Sequence, residues 1–190
     1  MQGGGSIGRN VAVRLGLTGV PSVATQRWCA SGMAGTQWIA ANIAAARFLD
    51  RHRVPTLYRV HGLPELDRLE TLRQFLREFG LWLPPAEEVK PEHLRDLLQK
   101  LGDRPDAVLI STAVIRSMSQ AVYQPGNIGH FGLALEHYAH FTSPIRRYPD
   151  LVVHRGIRQV LQGGDPQALV DWHGAFPVLG QECSFRERRA

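Results

Sequence analysis

The chain has 190 residues, of which 44% are hydrophobic and 21% charged, so its composition suits an ordinary globular protein with one sizeable core. Its formal net charge of +5 permits binding to a polyanion but equally fits a solvated, arginine-rich surface, since Lys90 and Lys100 are the only lysines. The sequence contains neither an apolar run near the ~18 residues of a membrane span nor a secretory signal pattern, so we expect a cytoplasmic protein that is not associated with a membrane.

The first elements follow a stretch of 37 residues that is rich in Gly, Ser, Thr and Val. Residues 38–54 predict an alanine-rich helix that ends before Pro55. Residues 56–61 alternate in polarity, which indicates a short strand or an extended connector. A second helix is predicted from the helical spacing of the apolar residues Leu66, Leu69, Leu72, Phe75, Leu76 and Phe79.

Two more helices are predicted in the middle of the chain. Pro91 stands at a first-turn position, and the leucines that follow it reach Gly102, which marks the end of that helix. Residues 106–121 predict the next helix, with Val108, Ile115 and Met118 as its apolar positions. Glycines and prolines dominate 123–137, which indicates turns and a short strand.

The last third of the chain also predicts helices. One begins near Pro149 and carries an apolar stripe whose members should pack in the core: Val153, Ile157, Val160 and Leu161. Asp165 followed by Pro166 has the pattern of a helix start. The terminal SFRERRA reads as the opening turns of a further helix. The fold class that we predict is therefore α+β and mainly helical.

Residues 137–155, HYAHFTSPIRRYPDLVVHR, hold the greatest concentration of chemically useful side chains. Two prolines stiffen this stretch and should present Arg146 and Arg147 together. A fixed pair of guanidinium groups suits an anion, because arginine binds phosphate through two parallel hydrogen bonds. Three rings offer surfaces on which nucleobases could stack: Tyr138, Phe141 and Tyr148. The equally weighted alternative is that Asp150 holds an arginine in an ordinary ion pair, while the aromatic rings fill a core.

This stretch resembles the HFTSPIRRYxDLxxHR motif of the RNB exoribonucleases, the family of ribonuclease II and ribonuclease R. Three other runs resemble the same family in the same order: AANIAAARFLDRHRVPTLYRVHGLP, RSMSQAVYQPGNIGHFGLALEHY and GQECSFRERRA. The resemblance implies that residues 38–190 form the C-terminal half of an RNB catalytic domain. In that family, single-stranded RNA is hydrolysed from its 3′ end to nucleoside monophosphates, with Mg²⁺ activating the attacking water.

The resemblance also implies roles for individual side chains. Arg146 would be catalytic, clamping an RNA phosphate near the scissile bond and offsetting its developing charge. Asp150 would orient the arginines. The remaining members of the predicted RNA-binding set are Tyr138, His140, Ser143, Arg147 and Tyr148. Of the histidines, His140 and His154 would be supporting or structural.

The acidic cluster that binds Mg²⁺ in the family, with the spacing D-x5-D-x-D-D, has no counterpart in this sequence. The acidic pair that usually precedes the AAN helix is replaced by Gly35 and Thr36, and Ser119 stands where ribonuclease R usually has lysine. We therefore predict no metal site in this chain and no RNA hydrolysis by the chain alone. Either a complementing chain supplies the metal ligands or the protein is an inactive fragment.

Residues 1–37 form a separate predicted segment, which resembles the nucleophile region of thiolases. In that family a cysteine before x-S-G is acylated by CoA thioesters, and Cys29 occupies the corresponding position. The second cysteine, Cys183, should be an ordinary buried small residue. The absence of CxxC or Cys/His spacing argues against structural zinc and against a disulfide scaffold.

Three alternatives to the exoribonuclease fragment remain open. The chain could be a non-catalytic RNA-binding module that keeps the arginine clamp without metals. It could be a thiolase-related acyltransferase fragment that uses Cys29. It could also be a stable helical fold without any ligand.

Overall fold

The computed structural model describes residues 32–165 and 176–189, with side chains described from Gln37 onward. The described helices are α1 (Gly32–Arg51), α2 (Leu66–Glu78), α3 (Pro91–Leu101), α4 (Ala107–Ser117), α5 (Tyr148–Leu161) and α6 (Phe176–Arg189). Two short strands, β1 (Tyr58–Val60) and β2 (Val122–Gln124), and two 3₁₀ turns, Ala86–Glu88 and Phe131–Leu133, complete this part of the chain. The prediction of a mainly helical α+β fold is confirmed.

The two strands form an antiparallel pair in which Arg59 lies opposite Tyr123. β1 lies within residues 56–61, which we predicted to be extended, and β2 begins one residue before 123–137, where we predicted turns and a short strand. α6 packs on β2 so closely that a Cβ atom added at Gly180 would collide with the carbonyl oxygen of Tyr123. The Ser184 hydroxyl accepts a hydrogen bond from the Tyr123 amide at 2.8 Å. The sheet is therefore held on one side by the last described helix.

The described residues bury two main apolar clusters. The larger one joins α2, α3 and α4 through leucines such as Leu76 and Leu94, together with Ile110 and Val114, and we call this part the leucine-rich lobe. The second cluster joins α1, β1 and α5. There Gly156 lets α5 approach α1, because a Cβ atom at this position would lie 3.0 Å from a methyl group of Leu49. The second cluster fixes the start of α5 relative to α1.

Four apolar side chains that we assigned to buried stripes are exposed: Leu66, Val108, Ile115 and Leu161. Leu66 and Leu161 are the first and last residues of their helices, where they reach beyond the core. α4 turns its other face inward through Ala107, Ile110 and Val114, and it ends at Ser117 rather than near residue 121. A period of 3.6 identifies an apolar face but cannot choose between two faces that are both apolar.

The C-terminal end of the chain also differs from the prediction. α6 begins at Phe176, eight residues before the SFRERRA run that we read as the opening of a helix. Cys183 lies within this helix and is half-buried, and burial raises the pKa of its thiol. The helix predicted after Asp165 and residues 1–31 of the thiolase-like segment, including Cys29, lie outside the described residues. α1 begins at Gly32, so it crosses the predicted boundary between residues 37 and 38. Among the described helices, none is long and apolar enough to cross a membrane.

Candidate functional site

A tight turn links the buried Tyr138 region to the start of α5, and we call residues 141–147 the connector. The backbone amides of Arg146 and Arg147 both donate to the carbonyl oxygen of Ser143, at 3.3 and 3.1 Å. α5 follows at Tyr148, with Pro149 in its first turn. Because Pro149 has a fixed φ and no N–H, it favours a helix start at this point. The connector thus has a defined backbone conformation.

The carboxylate of Asp150 holds the connector in place through hydrogen bonds. Its side chain is 0% exposed and accepts the Ser143 amide at 2.7 Å. It also receives two hydrogen bonds from Arg147, from Nε and Nη2, both at 2.8 Å. A buried carboxylate is tolerated only when it is paired and hydrogen-bonded in this manner. Arg147 is therefore engaged by an ion pair, which was the alternative that the sequence left open.

The neighbouring Arg146 has the opposite environment. Its side chain is exposed and donates a long hydrogen bond of 3.4 Å from Nη2 to the Ser143 hydroxyl. Among residues 32–165 and 176–189, no carboxylate forms an ion pair with it. Ile145 and Tyr148, on either side of the arginine pair, are exposed as well. Arg146 is thus the connector guanidinium that can meet an anion from solvent.

Most of the other rings that we predicted to contact a nucleobase make contacts within the protein instead. Tyr138 is buried, and its hydroxyl accepts a hydrogen bond from Asn42 Nδ2 at 3.1 Å. Asn42 Oδ1 accepts the Phe141 amide at 3.0 Å. Phe141 stacks on His154, with ring centres 4.2 Å apart, while His154 Nε2 donates to the Phe141 carbonyl at 2.8 Å. Tyr148 is the exposed ring of the predicted set. The roles of these residues in RNA binding remain predictions.

Behind the connector, a row of rings crosses the described part of the protein. Adjacent ring centres along this row are 5.1–5.7 Å apart, and the members in order are Tyr123, His140, Tyr138, His130 and His61. Burial is the main cause that lowers the pKa of His130 and that of His140 to about 3, and nearby arginines and histidines lower both further. Both imidazoles are therefore neutral near pH 7.

We did not predict from the sequence that Asn42, Tyr123 and His130 belong to this region. For Asn42 the sequence did contain an indication, because a polar residue within an alanine-rich helix is unusual.

The described residues do not fit the Mg²⁺ ions that the resemblance implies. No group of three or more His, Cys, Asp or Glu side chains within the described ranges could hold a metal ion. Asp150, the carboxylate nearest the connector, has both oxygens engaged by Arg147 and Ser143. Divalent magnesium needs several oxygen ligands with near-octahedral geometry, which this arrangement does not offer.

Removing the charge of Asp150 should destabilise the protein strongly. We expect Asp150→Asn to lower the free energy of unfolding by about 3–5 kcal/mol, because Arg147 loses its buried counter-charge. Urea denaturation would measure the change. Asp106→Asn is the matched control, since Arg104 binds Asp106 through the same two-bond geometry at an accessible position, where solvent screens the pair. Equal losses in the two variants would contradict the role assigned to Asp150.

The buried histidines should make stability depend on pH. In the unfolded chain a histidine titrates near 6.5, so the unfolded state binds more protons than the folded state between pH 6.5 and about 3. Stability should therefore be complete above pH 6.5 and fall on acidification, by up to about 1.4 kcal/mol per pH unit for each such histidine. His130→Phe should flatten this fall between pH 7 and 5. An unchanged slope in His130→Phe would refute the assignment.

Comparison with known proteins places the chain in a family. The sequence pattern described as "RNB domain" matches residues 26–163. Ribonuclease R of Escherichia coli K12 is 45% identical over 174 residues, which are 87% of this chain and 21% of that protein. Ribonuclease R of Aquifex aeolicus is 43% identical over 155 residues, covering 80% and 21% of the two chains. The chain thus spans about a fifth of the length of these curated relatives.

Solved structures share the fold. RNase R of Mycoplasma genitalium, determined in complex with ribose-methylated single-stranded RNA, superposes with a TM-score of 0.75 at 24% identity, covering 82% of this chain and 25% of that one. Yeast Ssd1, described as a pseudonuclease, superposes with a TM-score of 0.66 at 24% identity, covering 81% and 19%. From the sequence pattern, the relatives and the shared fold, the chain belongs to the RNB domain family.

Proposed function

We propose that this chain is the RNA-phosphate-binding part of an RNB exoribonuclease domain, acting on single-stranded RNA in the cytoplasm. The observation that carries the proposal is the exposed guanidinium of Arg146 on a connector fixed by Asp150. In a complete domain, this arginine would hold the phosphate near the bond that is cleaved. The released products would be nucleoside monophosphates, as the family resemblance implies.

The charges of the connector support a phosphate ligand. Arg147 is neutralised by Asp150, whereas Arg146 keeps its full positive charge at the surface. Because the turn is already formed, little conformational entropy is lost when an anion binds there. The guanidinium can then donate two parallel hydrogen bonds to phosphate oxygens. Phosphate contacts of this kind give RNA affinity without sequence preference.

The exposed Tyr148 ring supports a single strand as the form of the RNA. Tyr148 is next in sequence to Arg147 and marks the start of α5. An aromatic ring can stack on an unpaired base, whereas bases within a duplex are already stacked on one another. The exposed Arg146 lies two positions before this exposed ring, and an arginine together with an exposed ring is the combination with which proteins bind single strands.

We further propose that the chain alone does not hydrolyse RNA and that the metal ligands come from another segment or a complementing chain. Within the described residues, the carboxylates do not gather into a metal site. The fold cannot decide this question, because it occurs both in RNase R and in Ssd1, a pseudonuclease. The lack of a carboxylate cluster within the described residues also favours a second candidate function, namely a non-catalytic RNA-binding module.

The Arg146→Ala variant tests the proposal. A labelled single-stranded oligoribonucleotide should bind the protein in a salt-sensitive manner, and the substitution should weaken binding at least about tenfold, since it removes a charge-assisted contact. Arg146→Lys should recover only part of the affinity, because lysine keeps the charge but not the fork of donors. Fluorescence anisotropy at two salt concentrations would measure these differences.

Arg77→Ala serves as the matched control, since Arg77 is an exposed arginine on α2 in the leucine-rich lobe. This variant should bind the oligoribonucleotide like the unaltered protein. Equal loss in both variants would mean that binding depends on overall charge and would contradict a clamp at Arg146. The same samples, incubated with Mg²⁺, should leave the oligoribonucleotide intact, and digestion would refute the proposed inactivity of the chain.

A further inference from the structure

A cavity of about 750 Å³ lies between the leucine-rich lobe and the segment that follows β1. It is lined by α3 and α4, by Arg68 of α2, and by the regions around His61 and His130. No residue of the connector lines it, so it is separate from the site proposed above. Its volume is within the range of small-molecule binding sites in proteins.

The charged side chains that line this cavity are all of one sign. Arg68, Arg95 and Arg116 line it, and no described lining residue is Asp or Glu. Arg68 and Arg95 form ion pairs with Glu65 and Asp96, which do not line the cavity. Such accessible pairs are weak, and a guanidinium with five N–H groups keeps donors available for a second anion. The cavity therefore favours an anionic ligand.

The interior of the cavity combines apolar walls with polar groups. Leu98, Ile115 and Met118 provide apolar surface, while Gln99 and Gln120 offer amide donors and acceptors. An alkyl chain would cover these amides without satisfying them, at a cost in binding. A planar heterocycle can instead lie on this apolar surface and form hydrogen bonds at its edge.

The two histidines that line the cavity differ in their hydrogen bonds. His61 is satisfied at both nitrogens: Nδ1 accepts the Gly132 amide at 2.8 Å, and Nε2 donates to the Ser119 carbonyl at 2.5 Å. His130 Nδ1 is buried and has no hydrogen-bond partner among the described residues. Buried polar atoms are nearly always hydrogen-bonded. The His130 ring lines the cavity, so a rotation of the ring would bring this nitrogen to a ligand that can supply the partner.

From this arrangement we propose that the cavity binds a nucleoside monophosphate, with its phosphate at Arg68 and Arg116 and its base between the apolar wall and His130. The site is independent of the connector and does not require RNA hydrolysis. It gives the chain a second nucleotide-binding function beside the proposed phosphate clamp.

Isothermal titration calorimetry of the full chain with AMP, adenosine and inorganic phosphate tests the proposal. AMP should bind at least tenfold more tightly than either adenosine or phosphate, because it alone supplies both the base and the anion. Binding of octanoate in competition with AMP would instead identify an acyl-anion pocket. That result would overturn the proposal, as would equal affinities for AMP and adenosine or no AMP binding at millimolar concentration.

Variants identify the location of the bound nucleotide. The double variant Arg68→Ala/Arg116→Ala should weaken AMP binding at least tenfold, whereas Arg77→Ala, an exposed arginine outside the cavity, should not change it. Arg146→Ala should also leave AMP binding unchanged, so failure of the RNA clamp and failure of this proposal are distinguishable. Loss of AMP binding in Arg146→Ala, or its retention in the double variant, would overturn the assignment.

His130→Phe separates a ligand role from a structural one. The substitution keeps a ring of similar size and removes a buried nitrogen that lacks a partner, so the melting temperature should not fall. AMP affinity should nevertheless fall at least fivefold. A lower melting temperature with unchanged AMP affinity would show that His130 serves only the fold and would contradict its place in the site.

Discussion

The fully buried carboxylate of Asp150 is the constraint on which the candidate site depends. A charge in the interior must be paired and hydrogen-bonded, and here Arg147 and the Ser143 amide meet that requirement. The two contacts close the connector into one conformation. Because Arg147 is used for this purpose, the adjacent Arg146 is turned toward solvent. One buried ion pair thus determines which of two neighbouring arginines is available to a ligand.

The position of this ion pair is set by residues far away in the chain. α5 reaches α1 closely because Gly156 leaves room for Leu49, and α1 then brings Asn42 against Tyr138 and the Phe141 amide. These hydrogen bonds join residues almost a hundred positions apart. A substitution of Asn42 in α1 would therefore alter the hydrogen bonds that position the connector.

The sequence predicted most of the helices because their apolar residues recur at helical spacing, but it could not orient α4, where Val108 and Ile115 on one face compete with Ile110 and Val114 on the other. Neither could spacing show whether Arg146 or Arg147 pairs with Asp150, because both are within reach of a carboxylate in the next turn. The cavity beside His130 could not be predicted at all. Its lining comes from five separate segments, and only the packing of the leucine-rich lobe brings them together.

Catalytic activity depends on individual residues and not on the family or the fold alone, since this fold occurs in a nuclease and in a pseudonuclease. The central claim is that Arg146, and not Arg147, meets RNA phosphate. Nuclear magnetic resonance of the arginine Nε–Hε groups during titration with a short oligoribonucleotide tests it most directly. We expect the Arg146 signal to shift while the Arg147 signal keeps its position. A shift of Arg147 with Arg146 unchanged would contradict it.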